Sequence, residues 1–158
     1  MATKQGDLAL LHEPIAKELL QSTIPARFAY VFDETPRVVP IWFHWNGTQI
    51  VLGSQLAAPK LKALTKNPKV AVTIDTNDWP HKVLQIRGTV QIEVVDGVVP
   101  EYAAAAQRYF GQAQGQAWVE QAKKLFPRMA RIAVTPEWVS RIDFEKRFPS
   151  AIEAAMSS

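Results

Sequence analysis

The chain has 158 residues, 47% hydrophobic and 21% charged, with 18 basic and 15 acidic side chains and no cysteine. That length suits one domain, residues 1–158, able to bury a core without staples. The missing cysteine removes disulfide frameworks, thiolate zinc sites and cysteine nucleophiles together. The net charge of +3 is scattered among carboxylates rather than gathered in a basic run, which favours an ordinary surface over a nucleic-acid partner.

The first predicted element is a helix from Glu13 to about Gln21, with Ile15, Ala16, Leu19 and Leu20 at helical spacing and Pro14 in its first turn. The opening MATKQGDLALLHEP lacks the apolar core of a signal peptide, and no stretch approaches the ~20 apolar residues of a membrane span. The expectation is a cytoplasmic protein with no membrane partner. Strands follow at Arg27 to Phe32, Arg37 to Trp45 and Thr48 to Gly53, with a turn at Asp33 to Pro36. Asn46-Gly47 predicts an antiparallel hairpin closed by a type I′ turn.

Pro59 to Lys66 reads as a short helix closed by Asn67-Pro68, and Lys69 to Asp75 as a strand with Val70, Val72 and Ile74 on one face. In the next strand Leu84, Ile86, Val90, Ile92 and Val94 alternate with polar residues, which predicts one buried face. Gly88 interrupts that face where a barrel must bend or bulge. Two helices, Pro100 to Phe110 and Gln114 to Leu125, and two final strands, Met129 to Val134 and Trp138 to Phe144, complete the chain. Six or seven strands joined mostly by hairpins, with three or four helices, predict a mainly β fold. The expected form is a compact antiparallel barrel with peripheral helices, closed so that no strand edge is left open.

No Gly-x-Ser-x-Gly elbow, phosphate loop, Gly-x-Gly-x-x-Gly or His-Glu-x-x-His is present. His12, His44 and His81 are far apart and unpaired with carboxylates at ligand spacing, so no metal site and no catalytic side chain is assigned. An organic cofactor would supply what the side chains lack. The segment Ser54 to Lys62 joins a strand end to a helix start, bringing free N–H groups, the Ser54 hydroxyl, Lys60 and Lys62 together. Such a junction either holds a phosphate or is a solvated turn, and the local pattern does not choose. Pro40 removes a ladder donor and so belongs at an edge or bulge, where the backbone of Val39 and Ile41 could meet a planar heterocycle. An ordinary edge proline is the simpler account. Trp42, Trp45 and Trp79 could stack on a ring, although core or interface is the commoner place for tryptophan. Arg87, on the polar strand face, would meet an anion, a partner subunit or water.

In order, PRVVPIWF from Pro36, IVLGS from Ile50, PKLKALTKNPKV from Pro59 and IRGTV from Ile86 resemble the pyridoxamine 5′-phosphate oxidase-like flavin-binding split barrels. The resemblance covers roughly residues 26–95. It implies a split antiparallel β-barrel and a homodimer with two FMN sites at the subunit interface. It also implies that the Val39-Pro40-Ile41 main chain borders the isoalloxazine ring while Ser54 and Lys60 hold the cofactor phosphate. Gln55, Arg87 and Trp79 are further cofactor-binding candidates. Ala57-Ala58-Pro59 stands where many FMN binders of the family carry another basic residue and a hydroxyl, so the deazaflavin F420 is the alternative cofactor. The ending WVSRIDFEKRFP lacks the Trp-containing Arg-Leu-x-Pro motif of true pyridoxamine phosphate oxidases, which argues against vitamin B6 oxidation. The expected activity is a flavin-dependent oxidoreductase acting on a small molecule. A flavin or haem carrier is the alternative.

Overall fold

A computed structural model describes residues 3–158. A 3-10 turn at Leu8–His12 leads into α1 (Pro14–Leu20). The strands β1 (Ala26–Phe32), β2 (Thr35–Ile41), β3 (His44–Trp45) and β4 (Ile50–Ser54) follow. Then come α2 (Pro59–Lys66), β5 (Lys69–Asp75), β6 (Val83–Asp96), α3 (Pro100–Phe110), α4 (Gln112–Leu125), β7 (Arg128–Ile142) and α5 (Ser150–Ser157). The strands form one antiparallel sheet in the order β2-β1-β5-β6-β7-β4-β3. The fold is therefore mainly β with peripheral helices, a split barrel, but it is open where closure was expected. Its two edges are blunted differently: β2 carries Pro36 and Pro40, and β3 is only two residues long. No helix among the described residues is long and apolar enough to cross a membrane.

Local chemistry explains the connections. The β1–β2 hairpin is tighter than the sequence suggests, because Phe32 pairs with Thr35 and leaves only Asp33 and Glu34 in the loop. Both have positive φ, 49° and 61°, as a type I′ turn requires. At the second hairpin the Asn46 N–H donates to the Gln49 carbonyl (3.2 Å), so the loop is Gly47-Thr48 rather than Asn46-Gly47. Only Gly47 there has positive φ, 100°. The Asn46 side chain instead accepts from the N–H groups of Thr48 (3.0 Å) and Gln49 (2.8 Å).

The two expected final strands are one, β7. It passes through Pro136 because Arg87 pairs with Trp138 while Gly88 pairs with Pro136, leaving Glu137 as the extra residue of a bulge. A bulge is where a strand tolerates proline. A Cβ on Gly88 would collide with the Thr135 carbonyl oxygen, so Gly88 lets the two longest strands approach there more closely than a side chain would allow.

The core gathers Phe28 and Tyr30 from β1, Val72 and Ile74 from β5, Leu84, Ile86 and Val90 from β6, and Ile132, Val134 and Val139 from β7. Leu10, Leu19 and Leu20 close it from the N-terminal side. The predicted buried face of β6 stops short: Ile92 is 36% and Val94 46% exposed. β5 pairs with β6 only as far as Thr89, so beyond that point β7 alone flanks the strand.

The chain start is fastened to the end of β7. Gln5 exchanges two hydrogen bonds with the Arg141 backbone (2.8 and 3.1 Å), and Arg141 bridges Glu13 and Asp143. Burial alone would raise the Asp143 carboxyl. The backbone N–H groups of Arg147, Glu145 and Lys146, together with Arg141, outweigh that and hold it below the ordinary carboxylate range. A depressed carboxylate contributes stability that is complete above its unfolded pKa, near ~4, and is lost as pH falls through the lower folded value. Acid titration of urea stability should therefore show a falling limb below about pH 4 that is shallower in Asp143→Ala. An equally steep limb in that variant would remove Asp143 as its source.

Candidate functional site

At the β4–α2 junction Ser54 is buried, and its hydroxyl donates only a long bond to the Gln55 carbonyl (3.3 Å). That carbonyl also accepts from the Ala58 N–H (3.1 Å), folding residues 55–58 into a turn, with the Gln55 side chain exposed. Ala58 is the N-cap of α2 and offers no side-chain acceptor, so the helix start is uncapped. Lys60 lies in that first turn, half-buried. Lys69, Lys82 and Lys123 pair with Glu137 (3.2 Å), Glu18 (3.0 Å) and Glu120 (3.0 Å), but Lys60 has no ion pair among the described residues. Burial pushes its ammonium below the ordinary lysine range. The junction thus brings into one short segment a partly desolvated cation, a buried hydroxyl and the positive end of a helix dipole.

Val39, Pro40 and Ile41 lie on the edge strand β2. Val39 packs against the core, while Pro40 and Ile41 line a cleft of about 410 Å³ with Pro25, Trp42 and Tyr102. Tyr102 of α3 joins this cleft to the junction. Its ring covers Gly53, the residue before Ser54, so closely that a Cβ there would lie 2.7 Å from the Tyr102 Cβ. Trp42, which tryptophan statistics alone would assign to the core, is a wall of the cleft.

The other two candidates stand elsewhere. Arg87 lies over the Trp138 ring (4.0 Å) in a cleft of about 440 Å³, with Lys69, Glu137 and the small residues Ala29 and Ala71. Trp79, 70% exposed in the β5–β6 loop, sits edge-on to His81 (5.2 Å) and beside Phe144 (5.2 Å). Ser54, Gln55 and Lys60 thus share one junction and Pro40 and Ile41 the adjoining cleft, while Arg87 and Trp79 occupy two further places.

The helix that frames this region was expected at Pro100 to Phe110 and is found there, but no residue on it was expected to belong to the site. Tyr102, Arg108 and Tyr109 lie on α3, whose pattern reads as an ordinary amphipathic helix. Arg108 donates to the carbonyls of Ser22 (3.0 Å) and Phe43 (2.5 Å), holding the β2–β3 link. Burial and Arg108 hold the His44 imidazole below its ordinary range, outweighing Glu101. Burial would raise the Glu101 carboxyl, but its bonds with Arg131 (2.6 and 2.9 Å) keep it low.

The sequence from residue 13 to 143 matches the family model described as pyridoxamine 5′-phosphate oxidase. No curated protein matches the chain. Among solved structures it is similar to an F420 reductase, with 25% identity over 78% of this chain and 94% of the other and a TM-score of 0.59. A conserved hypothetical protein of Mycobacterium tuberculosis is 17% identical over 91% and 92% of the two chains, with a TM-score of 0.68. The haem storage protein of Vibrio cholerae is 19% identical over 81% and 92%, with a TM-score of 0.59. With the model covering most of the sequence and the split barrel in place, this chain belongs to the pyridoxamine 5′-phosphate oxidase family.

Proposed function

We propose that the chain binds FMN and works as a flavin-dependent oxidoreductase on a small molecule, as a cytoplasmic homodimer in which residues 1–158 act as one domain. The observation that carries this reading is Lys60, half-buried and without a carboxylate beside Ser54 and the uncapped start of α2. A cofactor phosphate would meet the ammonium, the Ser54 hydroxyl and backbone N–H groups there. When bound, the isoalloxazine would supply hydride transfer. The chain's own part is to seat the phosphate and lay the ring along the main chain of Val39 to Ile41, beside the cleft walled by Trp42 and Tyr102.

The dimer reading is supported by the bare flank of the sheet. Helix α3 packs on β3 and β4 and its Glu101 pairs with Arg131 of β7, whereas Val38 is 65% exposed on β2 and the floor beside it is Ala29 and Ala71. A second copy would cover these apolar residues and bring Arg87 toward the shared site. F420 is the second reading, favoured by the 25% identity to the F420 reductase and by Ala57-Ala58-Pro59, which adds no charge beside Lys60.

Absorption spectra of the purified protein, with mass spectrometry of the released cofactor, separate these readings in one experiment. FMN is the expected mass, F420 would replace it, and a Soret band would favour the carrier reading suggested by the haem storage protein. A colourless protein that takes up none of the three would overturn the proposal.

A further inference from the structure

We infer that the cleft of Pro25, Pro40, Ile41, Trp42 and Tyr102 is a substrate site, and that its ligand is a flat, uncharged ring carrying a carbonyl oxygen. The inference rests on the oxidoreductase reading for the word substrate; ring binding itself does not depend on it.

The walls fix the shape of the ligand. Trp42 is stacked on Tyr109 (centroids 5.3 Å apart, planes 8° apart) and meets Phe110 edge-on at 4.8 Å, with Tyr102 tilted at 6.0 Å. Its ring is thus held on several sides before any ligand arrives, and with two prolines and an isoleucine the cleft offers flat and aliphatic walls.

The charge of the ligand follows from what is absent among the five lining side chains, none of which is ionisable at neutral pH. The two arginines beside the cleft are already engaged: Arg27, cross-strand from Pro40, is turned to the Pro25 carbonyl (3.4 Å) and Asp75 (3.8 Å), and Arg108 donates to the carbonyls of Ser22 (3.0 Å) and Phe43 (2.5 Å). A charged ligand would lose hydration there with nothing to replace it.

The carbonyl follows from the Tyr102 hydroxyl. Its oxygen accepts from the Trp118 indole N–H at 2.8 Å, and its own hydrogen has no acceptor among the described residues. The indole fixes the oxygen's position and leaves one donor to spend on a ligand. A site built around such a donor favours a ring that can accept over one that cannot.

Calorimetric titration of the protein as purified tests this with three probes: 1-indanone, its carbonyl-free analogue indane, and pyridoxal 5′-phosphate as a charged ring of similar size. The expected result is that 1-indanone binds about fivefold more tightly than indane, the effect of one hydrogen bond, and that pyridoxal 5′-phosphate does not compete. In Tyr102→Phe that preference should vanish while indane binding persists, and Trp42→Ala should lose both uncharged rings. A preference that survives in Tyr102→Phe, tight pyridoxal 5′-phosphate binding in the cleft, or displacement of 1-indanone by added FMN would each overturn the inference. A protein that holds no flavin yet shows the indanone preference would sink the oxidoreductase reading and leave the ring site standing.

Discussion

Lys60→Ala is expected to weaken FMN binding at least tenfold while leaving the fold intact. A hydrogen bond to a charged group contributes about 1.5–3 kcal/mol, which corresponds to roughly ten- to hundredfold in affinity. Lys60 has no ion pair among the described residues, so its removal strands no buried partner charge. The wild-type pH dependence supplies a second signature. A phosphate monoester is doubly charged above about pH 6, and burial has already lowered the lysine's affinity for its proton. Affinity should therefore fall as pH rises through the depressed Lys60 pKa, a limb that Lys60→Ala would lack and Lys60→Arg would push to higher pH. Fluorescence titration with FMN reads both effects, and full retention by the alanine variant would remove Lys60 from the site.

The second large effect is expected at Gly88. A methyl there meets the Thr135 carbonyl oxygen, with the Thr135 carbonyl carbon at 3.0 Å and Val134 Cγ1 at 3.1 Å. The obstacle is backbone of the neighbouring strand, held by pairing on both sides of the bulge, so it cannot swing aside as a flexible side chain would. Overpacking a core position costs about 1–3 kcal/mol, and a backbone collision belongs at the upper end. Gly88→Ala should therefore lose ~3 kcal/mol, lowering the melting temperature by roughly 6–12 °C at this chain length. Gly97→Ala is the control. Gly97 has φ 75° with nothing within 4 Å of a new Cβ, so only conformational strain of about 1–2 kcal/mol applies. Urea denaturation of the two variants decides the matter: equal losses would mean that the strand approach at Gly88 is not a constraint.

Much of the fold is legible in the residues because local chemistry and tertiary structure agree there. Pro59 to Lys66, bounded by a first-turn proline and by Asn67, is α2 to the residue, and alternating Val70, Val72 and Ile74 mark β5 as well. The departures arise where a distant partner decides. Pro136 looks like the end of a strand until Gly88 across the ladder makes room for a bulge. Ile92 and Val94 look buried until β5 proves too short to reach them. The helix α5, with Ile152 and Met156 exposed, reads in sequence as a trailing end.

The candidate site divides in the same way. The Ser54–Lys60 junction follows from a strand end, a proline and a lysine close together in sequence. Tyr102 enters only because Gly53 leaves space for its ring, nearly fifty positions away. Turn and periodicity rules carry no information about such a meeting.

The partners of β4 set the timing of site assembly during synthesis. Apart from the two-residue β3, its only neighbour in the sheet among the described residues is β7, the last of their strands. A nascent chain halted on the ribosome after β6 has its first hairpin and the β5–β6 ladder in reach, but no surface on which Ser54 can dock. On the proposed reading, cofactor capture waits until residues 130–134, the part of β7 that pairs with β4, have left the exit tunnel, and truncation before them would leave Ser54 without its ladder partner.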